Sequence, residues 1–435
     1  MASSIPAVPK DFFFQRGRGT GEASSSDQQI RVVLRLDGLF DLGRLERAVA
    51  AVVSEDPILR ARFVEPRPFE ARWELRDDAG AAPTCELAEV EATAAAAAIA
   101  AFLAELEVRA DGPYFRLRVI RADGQDALCL RVDHRLCDGG GTKLLLYRLA
   151  DRYRRLGAGE ALPAPREDFQ PRTVHGLTGR APSAPPEKPE EPKGFSPLTY
   201  ALPRLGAAKE RPFHALQVID AAATAAIRRA GKPLGATLTD ALLTALTRAL
   251  QPHALVPAGE PLTLMVSADC RTRLPPGTPE VLCNLSQGFF PALRCDPAQP
   301  FAAALAEVAQ AMTRVRDTFT LDEALREEVG FAASFQKLAA DPELLRARAR
   351  RATTFVLLSN VGVLDEARLH LGAPALLDAQ LLGTVALARE LLVCASSFRG
   401  ALTVSIGACA SDVPPEVIAG IVERLAAELE GFARA

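Results

Sequence analysis

The sequence Asp-His-Arg-Leu-Cys-Asp-Gly-Gly-Gly occupies residues 133–141 and stands between two different hydrophobic patterns. Before it, residues 127–132 place Leu and Val on one face and Cys and Arg on the other, which predicts a β-strand. After it, a helical pattern begins near Thr142. His134 therefore lies where a strand ends, four residues before Asp138, and a neutral imidazole there can accept a proton from a hydroxyl or an amine. The three glycines predict a tight turn whose backbone lies close to another part of the molecule.

The spacing His-x-x-x-Asp-Gly over residues 134–139 resembles the signature of acyltransferases that use acyl-CoA or carrier-protein thioesters. That superfamily includes chloramphenicol acetyltransferase, the BAHD plant acyltransferases, nonribosomal peptide condensation domains and polyketide-associated acyltransferases. The resemblance implies that His134 is the general base and that Asp138 and Gly139 support the site. A pattern this short also occurs by chance, so a buried histidine beside a glycine turn is the alternative.

A second stretch is similar to the same enzymes. Residues 268–276 read Ala-Asp-Cys-Arg-Thr-Arg-Leu-Pro-Pro, with Asn284 farther along, and resemble the family's Asp-x-Arg-x-Arg segment and the asparagine that follows it. In the family an arginine of this segment reaches the aspartate of the histidine motif. The resemblance therefore gives Arg271 as the partner of Asp138 and Arg273 as the fallback, and a guanidinium is a suitable bidentate partner for a carboxylate.

A third stretch, residues 353–362, reads as a strand that ends in Ser-Asn-Val-Gly. A similar segment lies along the acyl tunnel of carrier-protein-dependent and alcohol acyltransferases. The resemblance implies that Ser359 and Asn360 line the tunnel or hold the oxyanion of a tetrahedral intermediate. A serine and an asparagine at a strand end also commonly make a turn, and this alternative stays open.

Three positions at which the sequence departs from the family patterns indicate which members of the superfamily it resembles most. The BAHD sequence Asp-Phe-Gly-Trp-Gly is absent from this chain, and Cys283 stands where the family usually has a glycine. Asp133 stands where many condensation domains have a first histidine, which several alcohol acyltransferases also lack. The chain is therefore most similar to the polyketide-associated and alcohol acyltransferase-type members.

Two other site chemistries receive less support from the sequence. Cys137 lies three residues after His134, but its loop lacks the His and Asn/Asp partners of a cysteine nucleophile. The sequence Gly139–Thr142 precedes a helix but lacks the lysine of a Walker phosphate-binding loop. The other four histidines have no partner pattern and are interpreted as ordinary residues.

Length and composition limit the classes of function. A chain of 435 residues exceeds one ordinary core, so two domains or lobes are expected. Lys and Arg number 51 against 54 Asp and Glu, a balance that argues against a dedicated nucleic-acid binder. The sequence shows no secretory signal, no apolar run that predicts a transmembrane segment, and no Cys-x-x-Cys pair among its eight cysteines. These features predict a cytoplasmic protein with neither a disulfide framework nor a metal site.

The distribution of proline predicts the domain organisation. Prolines crowd the region between residues 160 and 198, which predicts an irregular crossover. We therefore expect an N-terminal lobe over residues 1–165 that carries the histidine motif, a proline-rich crossover over 166–198, and a C-terminal lobe over 199–435. Within the first lobe, residues 86–107 read as a helix, and residues 114–132 read as a hairpin that turns at Asp123-Gly124.

The resemblance implies an α/β fold of chloramphenicol acetyltransferase type, with two lobes, each a mixed sheet with flanking helices, and an active-site tunnel between them. It implies an acyltransferase of secondary metabolite or lipid biosynthesis that acts as a monomer on a small alcohol or amine. Acyl-CoA or an acyl- or peptidyl-carrier protein would be the donor substrate, and no bound cofactor is expected. The alternatives are a stand-alone nonribosomal peptide condensation enzyme and a non-catalytic member that only binds a carrier protein.

Overall fold

The computed structural model describes residues 4–11, 29–67, 70–76, 85–106, 113–180, 199–206, 210–341, 353–386 and 389–434. The part of the chain before residue 181 contains strands β1 (Ser4–Pro6), β2 (Gln29–Asp37), β3 (Ala61–Arg67), β4 (Glu70–Leu75), β5 (Cys85–Glu89), β6 (Phe115–Ala122) and β7 (Gln125–Asp133). Its helices are α1 (Leu42–Glu55), α2 (Ala95–Ala104), α3 (Gly139–Ala158) and α4 (Val174–Thr178).

The part of the chain after residue 198 contains strands β8 (Pro212–Ile219), β9 (Pro261–Leu262), β10 (Met265–Asp269), β11 (Ser286–Phe289), β12 (Leu293–Arg294), β13 (Phe355–Val363), β14 (Ala375–Leu382), β15 (Val385–Ala386), β16 (Glu390–Phe398) and β17 (Ala401–Cys409). Its helices are α5 (Ala221–Gly231), α6 (Leu238–Ala249), α7 (Phe301–Thr318), α8 (Leu321–Ala340) and α9 (Pro415–Arg434).

Each of the two lobes has its own mixed sheet and its own hydrophobic core. The first-lobe sheet has the strand order β14-β2-β7-β6-β5, with β5 parallel to β6 and the other pairs antiparallel. The second-lobe sheet has the order β11-β10-β13-β16-β17-β15, and β8 also pairs with β17. Helices α1 and α3 cover the first core, whereas α6 and α9 cover the second. The predicted α/β fold with two lobes is confirmed.

Strand β14 connects the two lobes through the backbone. It comes from the second part of the chain but pairs antiparallel with β2 of the first-lobe sheet, from Ala375 opposite Asp37 to Leu382 opposite Arg31. The predicted boundaries at residues 165 and 199 stay predictions, and the crossover from residue 181 to 198 lies outside the described residues. The first-lobe sheet nevertheless contains one strand from the second part of the chain, which a division of the sequence into two consecutive lobes does not predict.

The first lobe confirms one local prediction and corrects another. The predicted hairpin is present, and its turn places Asp123 and Gly124 at φ 48° and 72°. The predicted helix over residues 86–107 is wrong at its beginning, because Cys85–Glu89 forms an edge strand parallel to β6 and the α-helix spans only Ala95–Ala104. Pairing with the edge of the sheet outweighs the helical preference of this alanine-rich stretch.

Candidate active site

The loop that carries His134 joins the end of β7 to the start of α3. Asp138 is the N-cap of α3, and its Oδ1 accepts a hydrogen bond from the backbone N–H of Gly141 at 2.9 Å. The helix therefore begins at Gly139, earlier than the sequence pattern near Thr142 indicates, and the glycines form its first turn rather than a separate tight turn. An aspartate at this position satisfies N–H groups that the helix itself leaves unpaired.

The glycines allow the second lobe to approach the backbone of α3 closely. A Cβ at Gly139 would lie 2.9 Å from Cγ1 of Val361, and one at Gly140 would lie 2.5 Å from Oδ2 of Asp269 and 2.7 Å from Nη1 of Arg271. All three distances are shorter than atoms in contact permit. The predicted close approach of backbone to another part of the molecule is confirmed, and the neighbours are strand ends of the second lobe.

His134 is oriented by Asn284 across the interface between the lobes. Nδ1 of His134 lies 3.1 Å from Oδ1 of Asn284. The amide nitrogen of Asn284 donates to the carbonyls of His134 at 2.9 Å and of Arg135 at 3.3 Å, and it lies 3.3 Å from Oδ1 of Asp11. Since all three neighbours are acceptors, the amide cannot be reversed, and its oxygen must face the imidazole. Nδ1 therefore carries the proton, and Nε2 of the neutral ring carries the lone pair.

The surroundings of His134 keep the imidazole neutral. Burial lowers the pKa of His134 below its ordinary value, and this effect outweighs the opposing influence of Asp138, of a hydrogen bond to the backbone of His134 itself, and of Asn284 and Asp133, which favour the protonated ring. A neutral imidazole with a lone pair on Nε2 is the form that accepts a proton. The pattern His-x-x-x-Asp-Gly thus places at a strand end a histidine in the protonation state of a general base.

Asp138 pairs with Arg271, as the resemblance implies. Nη1 of Arg271 donates to Oδ1 of Asp138 at 2.8 Å, and the backbone N–H of Leu285 donates to Oδ2 at 2.6 Å. Burial raises the pKa of the Asp138 carboxyl, but Arg271 and the N–H groups of Gly141 and Leu285 outweigh it, so the pKa lies below its usual range. Asp138 is an ionised structural anchor between the lobes.

Arg271 is shared by several acceptors of the second lobe. Nη1 also lies 3.1 Å from Oδ1 of Asp269, and Nη2 donates to the carbonyl of Cys283 at 2.7 Å. Burial and the neighbouring Asp138 raise the pKa of Asp269, although Arg271 opposes them. The fallback, Arg273, instead lies over the ring of Phe319 at 4.9 Å. Of the two arginines, Arg271 is the one that contacts Asp138.

The residue that replaces the first histidine of condensation domains supports the loop locally. Oδ2 of Asp133 accepts from Nη2 of Arg135 at 2.9 Å, and Oδ1 accepts from the backbone N–H of Arg135 at 2.9 Å. The guanidinium of Arg135 lies 4.8 Å from the ring centroid of Tyr114. Asp133 thus belongs to a buried pair on the first-lobe side of the loop.

A cavity of about 460 Å³ between the lobes contains one face of this loop. His134, Asp138, Gly139 and Gly140 line it from the first lobe. The second-lobe lining includes the apolar side chains of Met265, Phe290, Phe355, Leu357, Leu391 and Leu392 and the hydroxyls of Ser267, Ser286 and Ser359, together with polar residues such as Gln287 and Glu390. Concave sites of this size and composition bind small organic molecules. His134 therefore stands in the wall of a largely apolar cavity, as the predicted tunnel requires.

Ser359 and Asn360 both line the cavity, but their side chains make different hydrogen bonds. Oγ of Ser267 donates to Oγ of Ser359 at 3.0 Å, which leaves the Ser359 proton for another acceptor. Nδ2 of Asn360 donates to Thr239 at 3.0 Å, and its Oδ1 accepts from the N–H of Gly362 at 3.1 Å. Asn360 therefore lies at a β-bulge within β13, which continues to Val363, and not in a turn, whereas Ser359 presents a hydroxyl to the cavity.

The surroundings of Cys137 do not favour a thiolate. The residue is fully buried, and burial raises the pKa of its thiol to about 12. A nucleophilic cysteine requires a thiolate near neutral pH, so Cys137 serves packing against Gly141.

Among the residues that the structure describes, no group of three or more His, Cys, Asp or Glu side chains is placed to hold a metal ion. No helix in the described ranges is both long and apolar enough to cross a membrane.

Sequence reasoning gave no role to two features of this site. Asn284 is the asparagine that follows the Asp-x-Arg-x-Arg segment, and this match to the family pattern is the sequence feature that could have predicted its contact with His134. Asp11 and Arg172 form a buried ion pair at 2.9 Å beside Asn284. Neither residue belongs to a motif, so no local pattern in the sequence points to them.

Comparisons with known proteins agree with this architecture. Residues 20–171 match the family model described as Condensation domain. The first condensation domain of the CDA synthetase has a TM-score of 0.74 and 16% identity, over 99% of this chain and 97% of that chain. Comparison with curated proteins gives no match.

Two further solved structures share the fold over nearly the whole chain. Trichothecene 15-O-acetyltransferase from Fusarium sporotrichioides has a TM-score of 0.73 and 11% identity, over 99% of this chain and 95% of that chain. Polyketide synthase associated protein 5 from Mycobacterium tuberculosis has a TM-score of 0.69 and 13% identity, over 99% and 98%. The chain therefore has the two-lobe fold of these condensation-domain and acetyltransferase structures, and its residues 20–171 match the condensation-domain family.

Proposed function

We propose that this chain is an acyltransferase that moves an acyl group from a CoA or carrier-protein thioester to a hydroxyl or amine, with His134 as the general base. The observation that carries the proposal is the contact between His134 and Asn284, which holds a neutral imidazole with its lone pair on Nε2 in the wall of an inter-lobe cavity. A secondary metabolite or lipid pathway is the setting that the resemblance implies.

The reaction follows from the position of this base. Nε2 of His134 accepts the proton of the acceptor hydroxyl or amine as the oxygen or nitrogen attacks the thioester carbonyl. The resulting tetrahedral intermediate collapses, the carbon–sulfur bond breaks, and the proton on His134 passes to the departing sulfur. The products are an ester or amide and a free thiol. No covalent acyl-enzyme is needed, and general-base catalysis of this kind contributes roughly 10² to 10⁴ in rate.

Ser359 is the candidate donor to the oxyanion of the intermediate. Its hydroxyl receives a hydrogen bond from Ser267, lies in the cavity wall and has its own proton to donate. Asp138 and Arg271 act structurally in this scheme, because their charged atoms are engaged with each other and with backbone groups of both lobes. Gly139 supports the site by permitting contact with Val361.

A comparison of two histidine variants tests the proposal. Wild type, His134→Gln and His253→Gln are incubated with acyl-CoA or acyl-carrier protein and a panel of alcohols and amines, and products are identified by mass spectrometry. His253 is a matched control, since it is half-buried and does not line the cavity. We expect His134→Gln to lose roughly 10² to 10⁴ in kcat/KM while His253→Gln keeps wild-type activity. Activity of His134→Gln within a few-fold of wild type contradicts the role of His134.

A stand-alone condensation enzyme is the second candidate, and the condensation-domain match over residues 20–171 supports it. Such an enzyme would join a carrier-bound acyl or peptidyl group to a free amine or hydroxyl. Transfer from aminoacyl- or peptidyl-carrier protein, with no transfer from acyl-CoA, favours this candidate. Binding of loaded carrier protein by wild type with no product from any donor would indicate a non-catalytic member. A requirement for ATP or a metal would contradict thioester-dependent transfer.

A further inference from the structure

The side chain of Arg172 is buried beside the His134 loop, although the residue belongs to the segment that leads out of the first lobe; it is 4% exposed. Its Nη1 donates to the carbonyl of Leu282 at 2.6 Å, two residues before Asn284. Its Nη2 donates to the carbonyls of the two residues that follow His134, at 3.0 and 3.1 Å. One guanidinium therefore joins the two loops whose side chains meet at Nδ1 of His134.

Asp11 completes this arrangement. Its carboxylate is fully buried and accepts from Nη2 of Arg172 at 2.9 Å and from Nε of Arg172 at 3.2 Å. Oδ2 also accepts from Nε1 of Trp73 at 2.9 Å, and Oδ1 lies 3.3 Å from Nδ2 of Asn284. Asp11 thus neutralises the buried guanidinium and is an acceptor on the amino side of Asn284, which disfavours a reversed amide.

Contacts to the second lobe fix both segments on which this pair depends. Nζ of Lys10 donates to the carbonyl of Ser286 at 2.8 Å, so the residue before Asp11 is held on the strand that follows Asn284. The carboxylate of Glu328 on α8 accepts from the N–H groups of Val174 and His175, both at 3.1 Å. The N-terminal segment and the segment after α3 therefore converge on the contact between His134 and Asn284.

We propose that Arg172 and Asp11 are positioning residues for His134: they hold the His134 loop and the Asn284 loop in register and keep the Asn284 amide oxygen facing Nδ1. This inference rests on the proposed role of His134 as a base. A displaced or reversed Asn284 would take its amide oxygen away from Nδ1 and would favour movement of the proton to Nε2, which removes the lone pair required for catalysis. Small displacements of a catalytic group lower the rate by roughly 10².

The test measures the tautomer and the kinetics on the full chain. Histidine is labelled with ¹⁵N, and ring ¹⁵N resonances are recorded without substrate, with His134→Gln used to assign the His134 signals. Wild type should show Nδ1 protonated. Arg172→Lys keeps the charge but cannot reach all the carbonyls, and Asp11→Asn removes the negative charge beside the amide. We expect both variants to shift the His134 resonances towards a mixture of tautomers and to lower kcat by roughly 10- to 100-fold, with little change in the KM of the donor.

Asp126→Asn is the matched control. Asp126 is also a buried carboxylate; it accepts from Nε and Nη2 of Arg121 and lies at the opposite end of β7 from His134. All three variants should unfold at lower temperature, but Asp126→Asn should keep the wild-type resonances and kcat. The proposal is overturned if Arg172→Lys, corrected for the folded fraction, keeps the wild-type His134 resonances and kcat. If the wild type transfers no acyl group but the variants still change the tautomer, the proposed function fails while the positioning role stands.

Discussion

Nδ1 of His134 and Oδ1 of Asn284 lie 3.1 Å apart although 150 positions separate the two residues in the sequence. One of the contacts that orient the imidazole of the candidate base therefore forms only when the two parts of the chain assemble. It does not depend on Asp138, whose carboxylate is engaged with Arg271 and with backbone N–H groups.

The first prediction concerns Asn284 itself. Asn284→Ala removes the acceptor of His134 Nδ1–H and the donor to two carbonyls of the His134 loop. We expect kcat to fall roughly 10- to 100-fold, because the ring loses its orientation. Buried groups without partners should lower the free energy of unfolding by about 1–3 kcal/mol. Steady-state kinetics and urea denaturation measure both effects, and wild-type kcat in this variant would show that the contact has no catalytic role.

The second prediction concerns pH. Because burial lowers the pKa of His134 from its ordinary value of 6.5, the native ring becomes protonated only at a pH below 6.5. The midpoint of the acidic limb of kcat/KM should therefore lie below pH 6.5. The unfolded chain protonates this histidine at a higher pH than the native chain does, so its contribution to stability is lost as pH falls from about 6.5 through the lowered pKa. The rate profile measures the limb, and His253→Gln should leave the midpoint unchanged. A midpoint above 6.5 would contradict the desolvated environment.

The third prediction concerns the ion pair between the lobes. Asp138→Ala removes the more buried of the two carboxylates that Arg271 contacts and leaves two backbone N–H groups unpaired, so the free energy of unfolding should fall by about 3–5 kcal/mol. Arg273→Ala, which removes an exposed side chain over Phe319, should cost less than 1 kcal/mol, as is usual at surface sites away from special features. Urea denaturation of both variants measures the difference.

Reversing the pair should not restore stability. In Asp138→Arg with Arg271→Asp, the new guanidinium would face the N–H groups of Gly141 and Leu285, which are donors. Recovery of the wild-type unfolding midpoint by the double variant would show that the pair acts only through its opposite charges.

The fourth prediction compares two helical glycines. An added Cβ at Gly140 would lie 2.5 Å from Oδ2 of Asp269, whereas one at Gly330 on α8 has no atom within 4 Å. Gly140→Ala should therefore cost about 1–3 kcal/mol by overpacking and should lower activity by displacing the second lobe. Gly330→Ala should be neutral or stabilise the helix by up to about 1 kcal/mol. Thermal unfolding of the two variants tests this contrast, and equal effects would refute the close approach at Gly140.

The fifth prediction concerns the hydroxyl opposite the base. If Ser359 donates to the oxyanion, Ser359→Ala should lower kcat by about 10²-fold with little effect on KM, the loss typical of one such donor. Ser267→Ala should have a smaller effect, because it removes only the hydrogen bond to the Ser359 hydroxyl. Equal kcat for Ser359→Ala and wild type would leave Ser359 as a lining residue of the cavity.

The sequence predicts those parts of the fold and site that a local pattern or a family motif contains. The hairpin before His134 follows from alternating side chains and an Asp-Gly turn, and the contact of Asp138 with Arg271 follows from two motifs read together. The edge strand Cys85–Glu89 could not be predicted, because pairing with β6 decides it and its alanine-rich surroundings favour helix. The contacts of Arg172 and Asp11 could not be predicted either, because they form only where three segments that are distant in the sequence meet in the interior.

Strand β14 has a consequence for how the molecule can be divided. Without residues 375–382, strand β2 would present an unpaired backbone edge, and such edges promote association with other chains. A fragment that ends after α3 should therefore aggregate or fail to fold, even though it contains the whole histidine motif. Cutting the chain between the lobes should instead give two pieces that are stable only as a complex, because β14 of the second piece completes the sheet of the first.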